Sequence, residues 1–205
     1  MSADPNHAPT LDVGDHVAAV EQRVVMHHVP WSRYEAELAV RGEKSVPRIS
    51  FLDGTLERMS PSRDHERLSA WIARLAEVFA EERGIELSPY GSWTLKHPEI
   101  AGAEPDQCYI VGEDLTKPRP DLAIEVVWTR GGIDKLEVYR HLELAEVWFW
   151  IDGRITVHVL GGDRYEQVTC SSALPGLDTA LLCTFLDRPL LSAAKRDYRA
   201  ALRAR

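Results

Sequence analysis

The sequence lacks the features that would commit it to a membrane, to an oxidising compartment or to coating a polyanion. No apolar run approaches the roughly 20 residues that a membrane-spanning helix requires. The opening stretch MSADPNHAPTLDVGDH has neither a basic n-region nor an apolar h-region, so it does not read as a signal peptide. Cysteine is scarce. Cys108, Cys170 and Cys183 are scattered, form no CxxC pair and fit neither a zinc site nor a disulfide framework. A reducing cytoplasm is the expected setting, with no membrane partner. Positive charge is also in deficit, 24 basic against 32 acidic residues for a net charge of −8. That balance argues against binding nucleic acid through bulk charge, yet it leaves room for an enzyme that meets phosphates in a local groove through bound cations. Much of the positive charge, Lys195, Arg196, Arg199, Arg203 and Arg205, crowds the C-terminus and reads as a solvated helix face. No repeat, low-complexity tract or long linker divides the 205 residues. Residues 24–205 are therefore expected to form one domain, and residues 1–23, polar and containing Pro5 and Pro9, a mobile N-terminal arm.

What is present is organised around Glu104 to Asp152. Two runs rich in Val, Ile, Leu and Tyr, 106–111 and 120–127, flank a loop containing Gly112, Asp114 and Pro118, which predicts a hairpin. Closed symmetrically, that hairpin sets Asp106 directly across from Glu125. Cross-strand neighbours have Cβ atoms about 4.5–5.5 Å apart, so two carboxylates converge. Like charges so placed cost stability unless a cation fills the gap, and Glu125 lies mid-run between Ile124 and Val126, where an unpaired carboxylate is expensive to bury. A hard divalent ion such as Mg²⁺ answers both objections. Lys135, on the first turn of the helix entered through Gly131 and Gly132, is placed to fold back over the strand end, and two acids with a lysine suit phosphodiester hydrolysis. The competing account is that Asp106 and Asp121 merely begin strands after prolines while Glu125 faces solvent. Asp121 shares the face of Glu125 and is a candidate to support Lys135 or a metal-bound water, or only to cap the strand.

Elsewhere, WSRYEAELAVRGE has the composition of a helix capped by Ser32 and stopped at Gly42. Asp53-Gly54 between 48–52 and 55–59 is a two-residue hairpin signal. DHERLSAWIARLAEVFAEERG carries Leu68, Trp71, Ile72, Leu75, Val78 and Phe79 at helical spacing and ends on Arg83-Gly84. His65 and Glu66 lie in its first turn and are candidates to reach a neighbouring site, although a first-turn acid favoured by the helix dipole equally accounts for Glu66. IELSPY and GSWTLK predict two short strands, and IDKLEVYRHLELA a helix with Lys135 and Tyr139 on one side. EVWFWID, RITVHVL and RYEQVTC form a meander, and an amphipathic helix closes the chain.

In order, PSRDHERLSAWIARLAEVF, EPDQCYIV, RPDLAIEVV, a lysine–tyrosine helix and EVWFWID resemble the Uma-two putative restriction endonuclease family, within the PD-(D/E)XK nuclease superfamily. The resemblance spans about Trp31 to Leu191. It implies an α/β fold with a mixed central sheet flanked by helices and a Mg²⁺- or Mn²⁺-dependent nuclease centre. Asp106 and Glu125 would be the metal ligands, and Lys135 would replace the superfamily lysine, whose usual strand position is Val127. Thr55 stands where the family pattern has a glutamate, and the stretch from Trp128 to Gly132 is shorter than usual. The expected activity is endonucleolytic hydrolysis of nucleic acid, DNA ahead of RNA, by a homodimer. The alternative is a catalytically inactive binding or oligomerisation module on the same scaffold.

Overall fold

A computed structural model of the protein describes residues 21–127 and 131–204. The chain opens with a strand, β1 (Gln22–Met26), and a helix, α1 (Trp31–Arg41). A tight hairpin follows, β2 (Arg48–Leu52) and β3 (Thr55–Ser60). Its turn residues Asp53 and Gly54 both have positive φ, 39° and 78°, as a primed two-residue turn demands. The long helix α2 (Arg63–Arg83) begins at Ser62, whose hydroxyl accepts a hydrogen bond from the His65 backbone N–H at 3.1 Å, and ends at the left-handed Gly84. Three short strands come next, β4 (Leu87–Pro89), β5 (Leu95–His97) and β6 (Ala101–Ala103). The expected central hairpin is β7 (Gln107–Val111) with β8 (Leu122–Val127). Then come α3 (Lys135–His141), β9 (Glu146–Ile151), β10 (Arg154–Gly161), β11 (Arg164–Val168), α4 (Thr179–Cys183) and α5 (Leu191–Arg203).

Two sheets result. The first has the order β1-β3-β2-β6-β5; the second, β11-β10-β9-β8-β7-β4, is mixed, with β8 and β9 parallel and the remaining pairs antiparallel. The parallel pair needs a crossover, and α3 supplies it. β8 is covered on both faces, which explains its unbroken apolar run. Leu122, Ile124 and Val126 pack with α2, α4 and α5, whereas Ala123 packs beneath α3 with Leu95, Ala101 and Ala103. A third apolar cluster, Tyr34, Ile49, Phe51 and Leu56, seats α1 on the early hairpin. Tyr34 lies so close to Gly102 that a Cβ there would stand 2.3 Å from its hydroxyl, which accounts for the glycine in the middle of β6, while Ala101 and Ala103 belong to the cluster beneath α3.

Several boundaries differ from expectation. Ser32 does not cap α1; Pro30 occupies the N-cap, with no side-chain hydrogen bond. Neither β1 nor β6 is signalled by the sequence, the one following a polar stretch and the other having only small residues. Of the arm expected over 1–23, residues 1–20 lie outside the described residues, while Glu21, Gln22 and Arg23 belong to the folded body and Glu21 is buried.

Candidate active site

Gln107 pairs with Ile124, so continuing the antiparallel register by one step sets Asp106 opposite Glu125. Asp106, just ahead of β7, is wholly buried. Its Oδ2 accepts from the Val126 backbone N–H at 2.7 Å and lies 2.9 Å from His65 Nε2. Its Oδ1 is 2.8 Å from Arg48 Nη1, but neither atom finds an aligned hydrogen-bond partner. Glu125 Oε1 accepts from Lys135 Nζ at 3.2 Å and, in a short contact, from the Tyr139 hydroxyl. Its Oε2 accepts no hydrogen bond among the described residues. The four-residue spacing of Lys135 and Tyr139 on α3 brings both onto this one oxygen.

The environments push the two acids apart. Burial works to raise the Asp106 pKa, but Arg48, the His65 hydrogen bond and the Val126 N–H together hold it below the usual carboxylate range. Burial raises Glu125, and the negative charge of Asp106 adds to it; Lys135 and Tyr139 offset only part. Such divergence between neighbouring carboxyls is common where acids share a functional site. His65 is the hinge of a further buried chain, because its Nδ1 lies 2.8 Å from Glu21 Oε2. A ring with carboxylate oxygen at both nitrogens is satisfied as an imidazolium donating to each. Accordingly its pKa is raised: burial lowers it, but Asp106 and Glu21 outweigh the burial.

Of the acids and bases singled out from sequence, Asp106, Glu125, Lys135 and His65 converge. Glu66 stands one step back, 2.8 Å from Arg48 and half exposed. Asp121 is not brought to Lys135: its Oδ2 accepts from the Val111 N–H and from Lys117 Nζ, each at 2.7 Å, at the other end of β8. Arg130, the first basic residue after Glu125 in the sequence, lies outside the described residues.

Four contributors were not anticipated. Arg48 and Glu57 sit on the early hairpin, and each is a charged residue in a strand whose neighbours are buried, which is the signal that was available. Glu21 and Arg23 give no local sign, since their partners lie far along the chain. Arg23 is 3.1 Å from Glu21 and 3.6 Å from Glu57 and donates to the Gly131 carbonyl, while Glu57 accepts from the Ile133 N–H at 3.1 Å. Strands β1 and β3 thus grip the loop that delivers Lys135. An open cleft of about 350 Å³ borders Glu125, Lys135, Glu57 and Arg23.

A divalent metal fits this donor set. Among the described residues Asp106 Oδ1 lacks an aligned partner and Glu125 Oε2 accepts no hydrogen bond, and both are hard oxygens. Among the described residues no three His, Cys, Asp or Glu side chains surround one point, so two protein ligands with water or substrate completing the shell is the arrangement on offer, the habit of Mg²⁺. Arg48 would share Oδ1 with the incoming ion.

A family model described as "Uma2: Putative restriction endonuclease" matches residues 31–190, and that span contains all the converging residues except Glu21 and Arg23. The chain belongs to the Uma2 family. The crystal structure of a "putative nuclease belonging to DUF820" from Anabaena variabilis is similar at 10% sequence identity and a TM-score of 0.46, over 80% of this chain and 97% of that one. No curated protein matches the chain. As a Uma2 protein its class is that of a nuclease on a restriction-endonuclease-like core, and no described helix is long and apolar enough to cross a membrane.

Proposed function

We propose that this Uma2 protein is a metal-dependent endonuclease that hydrolyses nucleic-acid phosphodiesters, DNA in preference to RNA, in the cytoplasm. The supporting observation is the meeting of Asp106 and Glu125 across β7 and β8 with Lys135 Nζ 3.2 Å from Glu125. Asp106 and Glu125 would hold Mg²⁺ or Mn²⁺, which when bound polarises a phosphoryl oxygen and acidifies a water. The Val126 N–H and His65 fix the Asp106 carboxylate. The Tyr139 hydroxyl fixes Glu125, and Lys135 would orient the attacking water and balance charge developing on the phosphate. A homodimer would present two such centres.

Asp106→Ala and Glu125→Ala are each expected to abolish Mg²⁺- or Mn²⁺-stimulated cleavage while the circular dichroism of the fold persists. Undiminished cleavage in either variant removes that residue from the mechanism. The net charge of −8 favours one other reading, an inactive module that keeps the scaffold for binding or oligomerisation. Calorimetric titration with Mn²⁺ separates them: absence of binding at millimolar metal selects the module.

A further inference from the structure

The cations around the site are already matched by carboxylates. Arg23 faces Glu21 and Glu57, Arg48 faces Asp106 and Glu66, and Lys135 faces Glu125. Together with the acidic balance of the whole chain, this leaves little unpaired positive charge among the described residues of the site to grip a duplex backbone through counterion release. Part of the binding energy for a nucleic acid is then to be sought outside phosphate contacts.

The cleft beside Glu125 offers it. One wall is apolar, formed by Val127, Ile133, Leu136, Phe149 and Ile151, and these side chains continue directly from the acid and the lysine. His158 lies at the same wall with its ring edge-on to Phe149, centroids 5.6 Å apart at 82°. A phosphate gains nothing from such a surface, whereas the face of a base does. A volume of about 350 Å³ is at the small end of ligand pockets and suits one nucleoside. A base can enter only if it has left its stack, and that costs least where it is unpaired.

We infer that this cleft receives a single unpaired nucleobase adjoining the scissile phosphate, so that the favoured substrate is single-stranded or locally unpaired nucleic acid. The inference rests on the nuclease reading above.

The test uses the full chain with Ca²⁺ in place of Mg²⁺ and a short oligodeoxynucleotide carrying 2-aminopurine, as a single strand, a matched duplex and a duplex with that base mismatched. The single strand and the mismatched duplex should bind about tenfold or more tighter than the matched duplex, the scale of one stacked base, with the fluorescence of the probe altered on binding. Leu136→Trp, which fills the cleft, and Ile151→Asn, which makes its wall polar, should each erase that preference. Both positions are half-buried, and thermal melts establish that each variant is folded. Equal affinity for all three nucleic acids, no binding of any, or a preference surviving in folded variants overturns the inference. Failure of the nuclease reading looks different: no oligonucleotide is cleaved with Mg²⁺ or Mn²⁺, whatever the binding experiment returns.

Discussion

Gly131 and Gly132 carry φ of +103° and +98°, so alanine is strained at either position. They differ in what surrounds them. A Cβ on Gly131 meets nothing within 4 Å, whereas one on Gly132 would lie 2.0 Å from Glu57 Oε2 and 2.5 Å from Arg23 Nη1. Both variants should therefore lose about 1–3 kcal/mol to backbone strain. Glu57 and Arg23 are long enough to swing clear, so the clash itself is inexpensive. The swing, however, breaks the hydrogen bond from the Ile133 N–H to a buried carboxylate, worth about 1.5–3 kcal/mol. Gly132→Ala should thus be the less stable of the two by about 1.5–3 kcal/mol in urea unfolding, and it should lose more cleavage activity because the loop leading to Lys135 is released. Equal destabilisation of the two variants, at unchanged m-value, would refute the reasoning and demote the Arg23–Glu57 grip to an incidental contact.

Other outcomes follow from the buried charges. Burial and Asp106 raise the Glu125 pKa, so the folded state holds that proton more tightly and ionised Glu125 costs stability above about pH 4.3, its unfolded value. Glu125→Gln should therefore melt higher than the parent at pH 7 and, unlike the parent, gain no further Tm with millimolar Mn²⁺; a lower melting point contradicts the burial argument. His65 works in the opposite sense. Its pKa is raised, so its contribution is full below about pH 6.5 and is lost as pH rises through the folded value, and the Tm advantage of the parent over His65→Gln should shrink from pH 6 towards 9. Glu21→Ala strips one carboxylate from this buried ring and should cost about 3–5 kcal/mol in urea unfolding, with Glu21→Gln losing less. A loss below about 1 kcal/mol would show that Glu21 is dispensable to the network.

The parts of the fold legible in the sequence were those whose cause is local. Asp53-Gly54 dictates a primed turn, the apolar spacing of Leu68 to Phe79 dictates a buried helix, and Asp152-Gly153 dictates the bend into β10. The register placing Asp106 opposite Glu125 was legible because a symmetric closure around the loop fixes it, although the strands begin one and two residues later than their runs suggest. The helical spacing of Lys135 and Tyr139 gave their common side. What escaped was non-local. Among the described strands β1 pairs with β3 alone, and the glycine of β6 answers to Tyr34, which lies far back along the chain. Asp121 shares its parity with Glu125 but is claimed by Lys117, a nearer cation on the same loop. Arg48 and Glu57 were visible only as charges within strands, and their targets could not be named without the packing of one sheet against the other.

The family match begins at Trp31, but the ion-pairing of this centre begins ten residues earlier, at Glu21. A fragment trimmed to the shared span would retain every acid and base of the signature and still be crippled. Its buried imidazole would face only one counter-charge, and the glycine loop would have lost its arginine clasp. Anyone shortening this chain for crystallisation or for grafting should keep the first strand.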